Sequence, residues 1–182
     1  MKLFVSLTAF VVALASVVSF AEDETKIPDD LAKVLKFYEG NWTLEGSVGD
    51  APLKGRAMFR MPPSGHCILG TVSYRCKGER STFSLVSGWD SSTGWSTEQG
   101  VDANGEVYTV KWRKLSDNIE EGELVGTAGG QTISQKTRLE RKGDNTVVVS
   151  CTERKIGDEA QPDVTFVYHR VTEENKKRKT DE

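Results

Sequence analysis

From Gly40 onward the chain is broken every dozen or so residues by a cluster of glycine, asparagine, aspartate or proline. The clusters are "GDAP" at 49–52, "PPSG" at 62–65, "KGE" at 77–79, "DSSTG" at 90–94 and "ANGE" at 103–106. They continue with "SDN" at 116–118, "AGGQ" at 128–131, "KGDN" at 142–145 and "IGDEAQPD" at 156–163. These residue types supply the backbone angles and local side-chain bonds that tight turns require. β-Branched and aromatic runs fill the intervals. Nine such turns imply ten strands, each joined to its neighbour by a hairpin-sized link. Short links favour neighbours in space, so the fold class is all-β: a ten-stranded antiparallel up-and-down β-barrel. A sandwich with Greek-key crossovers would need longer connections than this chain has.

One helix precedes the strands. Pro28, Asp29 and Asp30 open it, Leu31, Val34, Leu35 and Tyr38 recur at helical spacing, and Gly40 ends it. No later segment has that period.

Upstream, Lys2 is followed by the apolar run "LFVSLTAFVVALASVVSF", and Ser19 and Ala21 are small residues placed for cleavage after Ala21. Residues 1–21 therefore read as a signal peptide, and the expected localisation is secreted or periplasmic, with no stable membrane anchor after cleavage. Residues 22–38 are the N-terminal segment and short helix, 39–172 the barrel, and 173–182 a charged disordered tail. The basic run Lys176 to Lys179 belongs to that solvated tail. A net charge of −3 gives no support for a nucleic-acid partner.

Strand alternation assigns the inner face. Trp42, Leu44, Gly46 and Val48 share one side, as do Phe83, Leu85, Ser87 and Trp89. The same holds for Tyr108, Val110 and Trp112; for Ile133, Gln135, Thr137 and Leu139; and for Val164, Phe166, Tyr168 and Arg170. Ten strands enclose more room than these side chains fill, so a closed barrel should contain a cavity. The candidate ligand-binding lining is Tyr74, Phe83, Leu85, Trp89, Tyr108, Trp112, Phe166 and Tyr168, interspersed with Ser87, Thr97, Gln99, Gln135 and Thr137. An apolar wall with a few hydroxyl and amide groups suits a small, mainly apolar molecule.

The helix, the Gly-x-Trp at Gly40 and Trp42, the meander and an arginine on the last strand together resemble the calycin superfamily. That group includes lipocalins, fatty-acid-binding proteins and the ten-stranded nitrobindins. The chain looks most like small secreted bacterial lipocalin-like domains, over about Leu31 to Val171. The resemblance implies that Gly40, Trp42 and Arg170 form a structural closure at the barrel floor.

No catalytic, metal or cofactor residue is assigned. The nitrobindin likeness raises haem, which takes an axial ligand such as histidine. His169 shares parity with Val167 and Val171, however, and should face outward, while His66 follows the "PPSG" turn at a rim. Asp90, Glu98, Asp102 and Glu106 flank hairpins and read as solvated turn and rim residues, Asp90 bonding within its own loop. No CxxC or histidine cluster suggests a metal. Cys67 and Cys76 lie at opposite ends of one strand, about 30 Å apart at about 3.3 Å per residue, too far for a disulfide unless the chain folds back at Gly70. The expectation is that Cys67, Cys76 and Cys151 are reduced, with a bond from Cys151 to one of the others as the alternative. Asn41 in "NWT" matches a glycosylation sequon, but it sits beside the expected buried tryptophan.

Two functional classes remain. One is an exported barrel that binds a small apolar molecule. The other is a non-binding structural or interaction module of the cell envelope, whose outward "KGRAMFR" and "QKTRLERK" stretches would dock an acidic partner. An enzyme inside the barrel is a weaker third, for want of an acid/base pair.

Overall fold

The computed structural model describes residues 27–93 and 95–172. The expected signal peptide and charged tail lie outside them. Helix α1 (Asp29–Tyr38) leads into β1 (Gly40–Val48), β2 (Ala51–Arg60), β3 (Cys67–Cys76), β4 (Glu79–Asp90) and β5 (Trp95–Asp102). Then follow β6 (Val107–Ser116), β7 (Ile119–Ala128), β8 (Gln131–Arg141), β9 (Thr146–Ile156), β10 (Glu159–Ala160) and β11 (Val164–Arg170).

Every pairing is antiparallel. The sheet runs β1 through β9 in chain order, and β11 lies between β9 and β1. The result is a closed barrel of ten long strands, with the two-residue β10 appended to the end of β9. The "IGDEAQPD" stretch thus holds more than one turn. The chain turns at Gly157, pairs briefly as β10, and breaks before β11 at Pro162, which has no N–H to give a ladder.

The expected inner faces of β1, β4, β6, β8 and β11 are the observed ones. Trp42, Leu44, Val110, Trp112, Leu139 and Val164 are all buried in the core cluster. The outer faces carry Lys54, Lys111 and Arg138 beside scattered exposed aliphatics such as Val125.

Glycines on the wall decide how the aromatics lie. Gly100 on β5 and Gly126 on β7 are the two cross-strand partners of Tyr108, and Gly122 is a partner of Trp112. A Cβ built at Gly100 would come within 2.2 Å of the Tyr108 ring, and one at Gly122 within 2.8 Å of the Trp112 ring. The rings therefore lie down over bare backbone instead of standing into the lumen. This keeps the centre of the barrel open.

Candidate functional site

The floor is built first. Trp42 pairs across the β1–β11 seam with Arg170, whose guanidinium carbon lies 4.2 Å from the Trp42 ring centre and 5.3 Å from that of Phe37. Arg170 also donates to the carbonyls of Glu39 (2.7 Å), Asp144 (3.2 Å) and Phe37. The Trp42 indole N–H donates to the Tyr38 carbonyl at 2.9 Å. Helix carbonyls at Phe37, Tyr38 and Glu39, which have no partner further along the helix, are thus satisfied by the barrel floor. Gly40 enters β1 at φ +136°, an angle that side-chain-bearing residues rarely adopt, and a Cβ there would meet Arg170 at 3.1 Å.

Above this floor lies a cavity of ≈ 330 Å³. Of the residues expected to line it, Tyr74, Phe83, Leu85, Ser87, Tyr108, Trp112, Gln135, Thr137, Phe166 and Tyr168 do so. Trp89, Thr97 and Gln99 do not. Trp89 keeps the inward parity of β4 but stands near the strand's end, where it lines a second, neighbouring cleft with Pro28, Asp30 and Lys114. Thr97 and Gln99 are on the opposite face of β5 from the lumen. Glu98, between them, pairs with Ser87, and both line the cavity. On β5 the inner face carries Ser96, Glu98, Gly100 and Asp102, so it shows no apolar signal, while Val101 is exposed on the outer face.

This register corrects the reading of Glu98 as a solvated rim residue. Its carboxyl lies in the lumen, where Oε1 accepts a hydrogen bond from the Tyr108 hydroxyl at 3.1 Å. Burial pushes its pKa up to about 7, against hydrogen bonding from Tyr108 and Trp112, which lowers it. Burial foremost, together with the Glu98 charge, raises the Tyr108 and Tyr168 phenols. Asp102 also lines the cavity while accepting from the backbone N–H groups of Asn104 (2.8 Å) and Glu106 (3.0 Å). Asp90 does stay in its own loop, accepting from the Ser92 and Thr93 hydroxyls at 2.6 and 2.9 Å, which lowers its pKa.

A second polar group occupies the β8–β9 wall. Gln135 donates to Thr137 at 3.2 Å and accepts from Arg154 Nε at 3.1 Å, and the Thr137 hydroxyl points to the Cys151 sulfur at 4.0 Å. Burial pushes the Cys151 thiol up. Cys67, Cys76 and Cys151 are all free thiols.

The helix also forms part of the cavity wall. Leu31, Val34, Leu35 and Tyr38 line the cavity, and the buried Tyr38 hydroxyl has no hydrogen-bond partner among the described residues. No group of three or more His, Cys, Asp or Glu among the described residues is placed to hold a metal. His169 is on the outer face, 3.4 Å from Glu45 and half exposed.

No protein-family model and no curated protein sequence matches the chain. Among solved structures, one described as EF1p2_mFAP2b bound to DFHBI is similar to it over 77% of this chain and 98% of that one. The two share 10% sequence identity with a TM-score of 0.39.

Proposed function

We propose that the protein is an exported, lipocalin-like barrel that binds one small, mainly apolar molecule in its lumen. The cavity of ≈ 330 Å³ carries this reading. It falls within the range of small-molecule sites, about 300–1,000 Å³, and its wall is aromatic and aliphatic with a few convergent polar groups. Removing an apolar ligand from water into such a wall contributes about 25 cal/mol per Å² of ligand surface buried. The wall is already built, because rings held flat over Gly100 and Gly122 need not move to admit a guest. A pre-formed site spares the ordering cost that weakens binding to flexible ones. Export rests on the apolar leader at 1–21 and its cleavage signal.

Native mass spectrometry of freshly purified protein, followed by a screen of lipophiles and haem, tests the reading. A bound mass removed by denaturation, or saturable binding of an apolar probe that competes with it, is the expected result. Failure of every probe to bind or to raise the melting temperature would overturn it.

A further inference from the structure

Four carboxylate or guanidinium side chains line the lumen: Glu98, Asp102, Glu120 and Arg154. Three have structural partners. Asp102 holds the turn amides of Asn104 and Glu106. Glu120 stands 3.9 Å from the Arg141 guanidinium. Arg154 donates to Gln135 and to the Pro162 carbonyl. Glu98 is different. Its hydrogen-bond partners are neutral, the phenol of Tyr108 and the indole of Trp112, and among the described residues no Lys, Arg or His pairs with it. It is a buried carboxyl, aimed into a cavity, with oxygen lone pairs to spare.

Resting on the reading of the lumen as a small-molecule site, we infer that its ligand carries a protonated nitrogen on an apolar body, and that Glu98, steadied by Tyr108, is the counter-ion that selects it. A buried carboxylate is costly alone and is compensated by a cation that hydrogen-bonds to it. The rings around it suit the same guest, since Tyr108 and Trp112 offer faces that attract cations. Size is compatible as well. An apolar cavity of about 150 Å³ holds a benzene, so ≈ 330 Å³ accommodates about two rings and their amine. Anionic guests are disfavoured beside the Glu98 carboxylate, and the guanidinium on the wall, Arg154, is already engaged by Gln135 and the Pro162 carbonyl.

Binding of a cation requires Glu98 to be ionised, so the affinity depends on pH. The titratable groups whose charge Glu98 influences are Tyr108 on β6, Tyr168 on β11, Tyr38 on α1 and Cys151 on β9. All four have pKa values raised and stay neutral through the neutral range. Asp102, Glu120 and Arg154 are the other charged groups on the cavity wall. Empty, Glu98 titrates near 7, and uptake of the cation releases its proton. Affinity for an amine should therefore rise as the pH is raised from about 6 to about 8, by about tenfold.

Calorimetric titration with 1-naphthylmethylamine, 1-naphthalenemethanol and 1-naphthoic acid tests this on the wild-type protein and on Glu98→Gln. At about pH 8 the amine should bind at least about tenfold more tightly than the alcohol, and most of that margin should be gone at about pH 6. Glu98→Gln should abolish the amine's margin over the alcohol and the pH dependence of that margin. Repeating the wild-type titration in buffers of different ionisation enthalpy reads the released proton without any variant. An alcohol that binds as well as the amine overturns the inference and leaves the small-molecule reading standing. So does an amine advantage that survives Glu98→Gln. If none of the three probes binds, the reading of the lumen falls and the inference with it.

Discussion

The guanidinium carbon of Arg170 lies 4.2 Å from the ring centre of Trp42, and the two residues face each other across the strand pair that closes the barrel. The contact is a cation–π interaction, contributing about 0.5–2 kcal/mol, and it sits on a ring that is 1% exposed. Trp42→Ala removes both the contact and a large buried volume. It should lower unfolding stability by about 3–5 kcal/mol in chemical denaturation. Arg170→Lys keeps the charge but not the planar fork that serves three carbonyls, and should cost about 1–3 kcal/mol. A loss under about 1 kcal/mol in the tryptophan variant would show that the seam is not a stabilising element.

Glu98 imposes a pH dependence on stability. Its pKa is raised from 4.5 to about 7 on folding, so between those values the folded state holds a proton that the unfolded chain releases. Stability therefore falls as pH rises through that window and is flat above it. The span corresponds to about 2–4 kcal/mol. Glu98→Gln should be the more stable protein at about pH 8 by an amount of that order, and the difference should vanish near pH 4.5. Denaturant midpoints of both proteins across this range check it. A difference that does not change with pH would contradict a buried, raised Glu98.

Tyr108→Phe removes the hydroxyl that donates to Glu98. That hydrogen bond lowers the Glu98 pKa, so its loss should move the titration further up from about 7. Carbonyl-stretch infrared difference spectra against pH, with Glu98→Gln as the blank, would show the shift. A downward movement would mean that Tyr108 does not donate to the carboxylate.

Gly100→Ala places a methyl group where the Tyr108 ring now lies, 2.2 Å from its carbons. The ring must lift off the wall or the strands must part. Overpacking of this kind costs about 1–3 kcal/mol. Because the displaced ring also carries the hydroxyl bound to Glu98, the variant should combine a lower melting temperature with a higher Glu98 pKa. Gly105→Ala, at a turn with open space around it but φ +83°, should lower stability without moving the Glu98 titration.

The three thiols should separate by reactivity. Cys67 and Cys76 are partly exposed, whereas Cys151 is 5% exposed and burial raises its pKa. Thiol-reactive reagents depend on the thiolate, so Cys151 should be modified only on unfolding. Counting labelled sites by mass spectrometry under native and denaturing conditions gives the answer. Rapid native labelling of Cys151 would place it outside the core.

Much of this architecture is legible in the sequence. Turn chemistry marked the strand boundaries, because glycine and asparagine are needed where the backbone takes angles other residues avoid. Trp42, Tyr108, Trp112 and Tyr168 fell on the inner face because their neighbours two residues away were also apolar. β5 defeated that logic. Its inner face carries Ser96, Glu98, Gly100 and Asp102, so parity has no apolar residue to lock onto, and the sequence pattern puts Thr97 and Gln99 inside where the register puts them outside. The signal existed one strand away. Gly100 and Gly126 flank Tyr108 only once the register is known, and that register carries Glu98 into the lumen with Gly100. Trp89 lies on the face its parity predicts but too near the strand's end to reach the main cavity. The helix residues of the cavity wall, Leu31 to Tyr38, were recognisable as an apolar stripe, but nothing in their spacing said which surface they would cover.

The β1–β11 seam also decides how the protein can be held. Val171 donates its N–H to the Asn41 carbonyl at 2.8 Å, so the barrel's first and last residues leave from the same rim. The opposite rim consists of the turns at Gly49, Gly78, Gly105 and Gly130 and the break at Pro162. A tether, a fusion partner or a surface attached through either end of the barrel approaches from the helix side. The turns at the far rim then face solution, which makes them the natural place to graft new sequence without disturbing the floor.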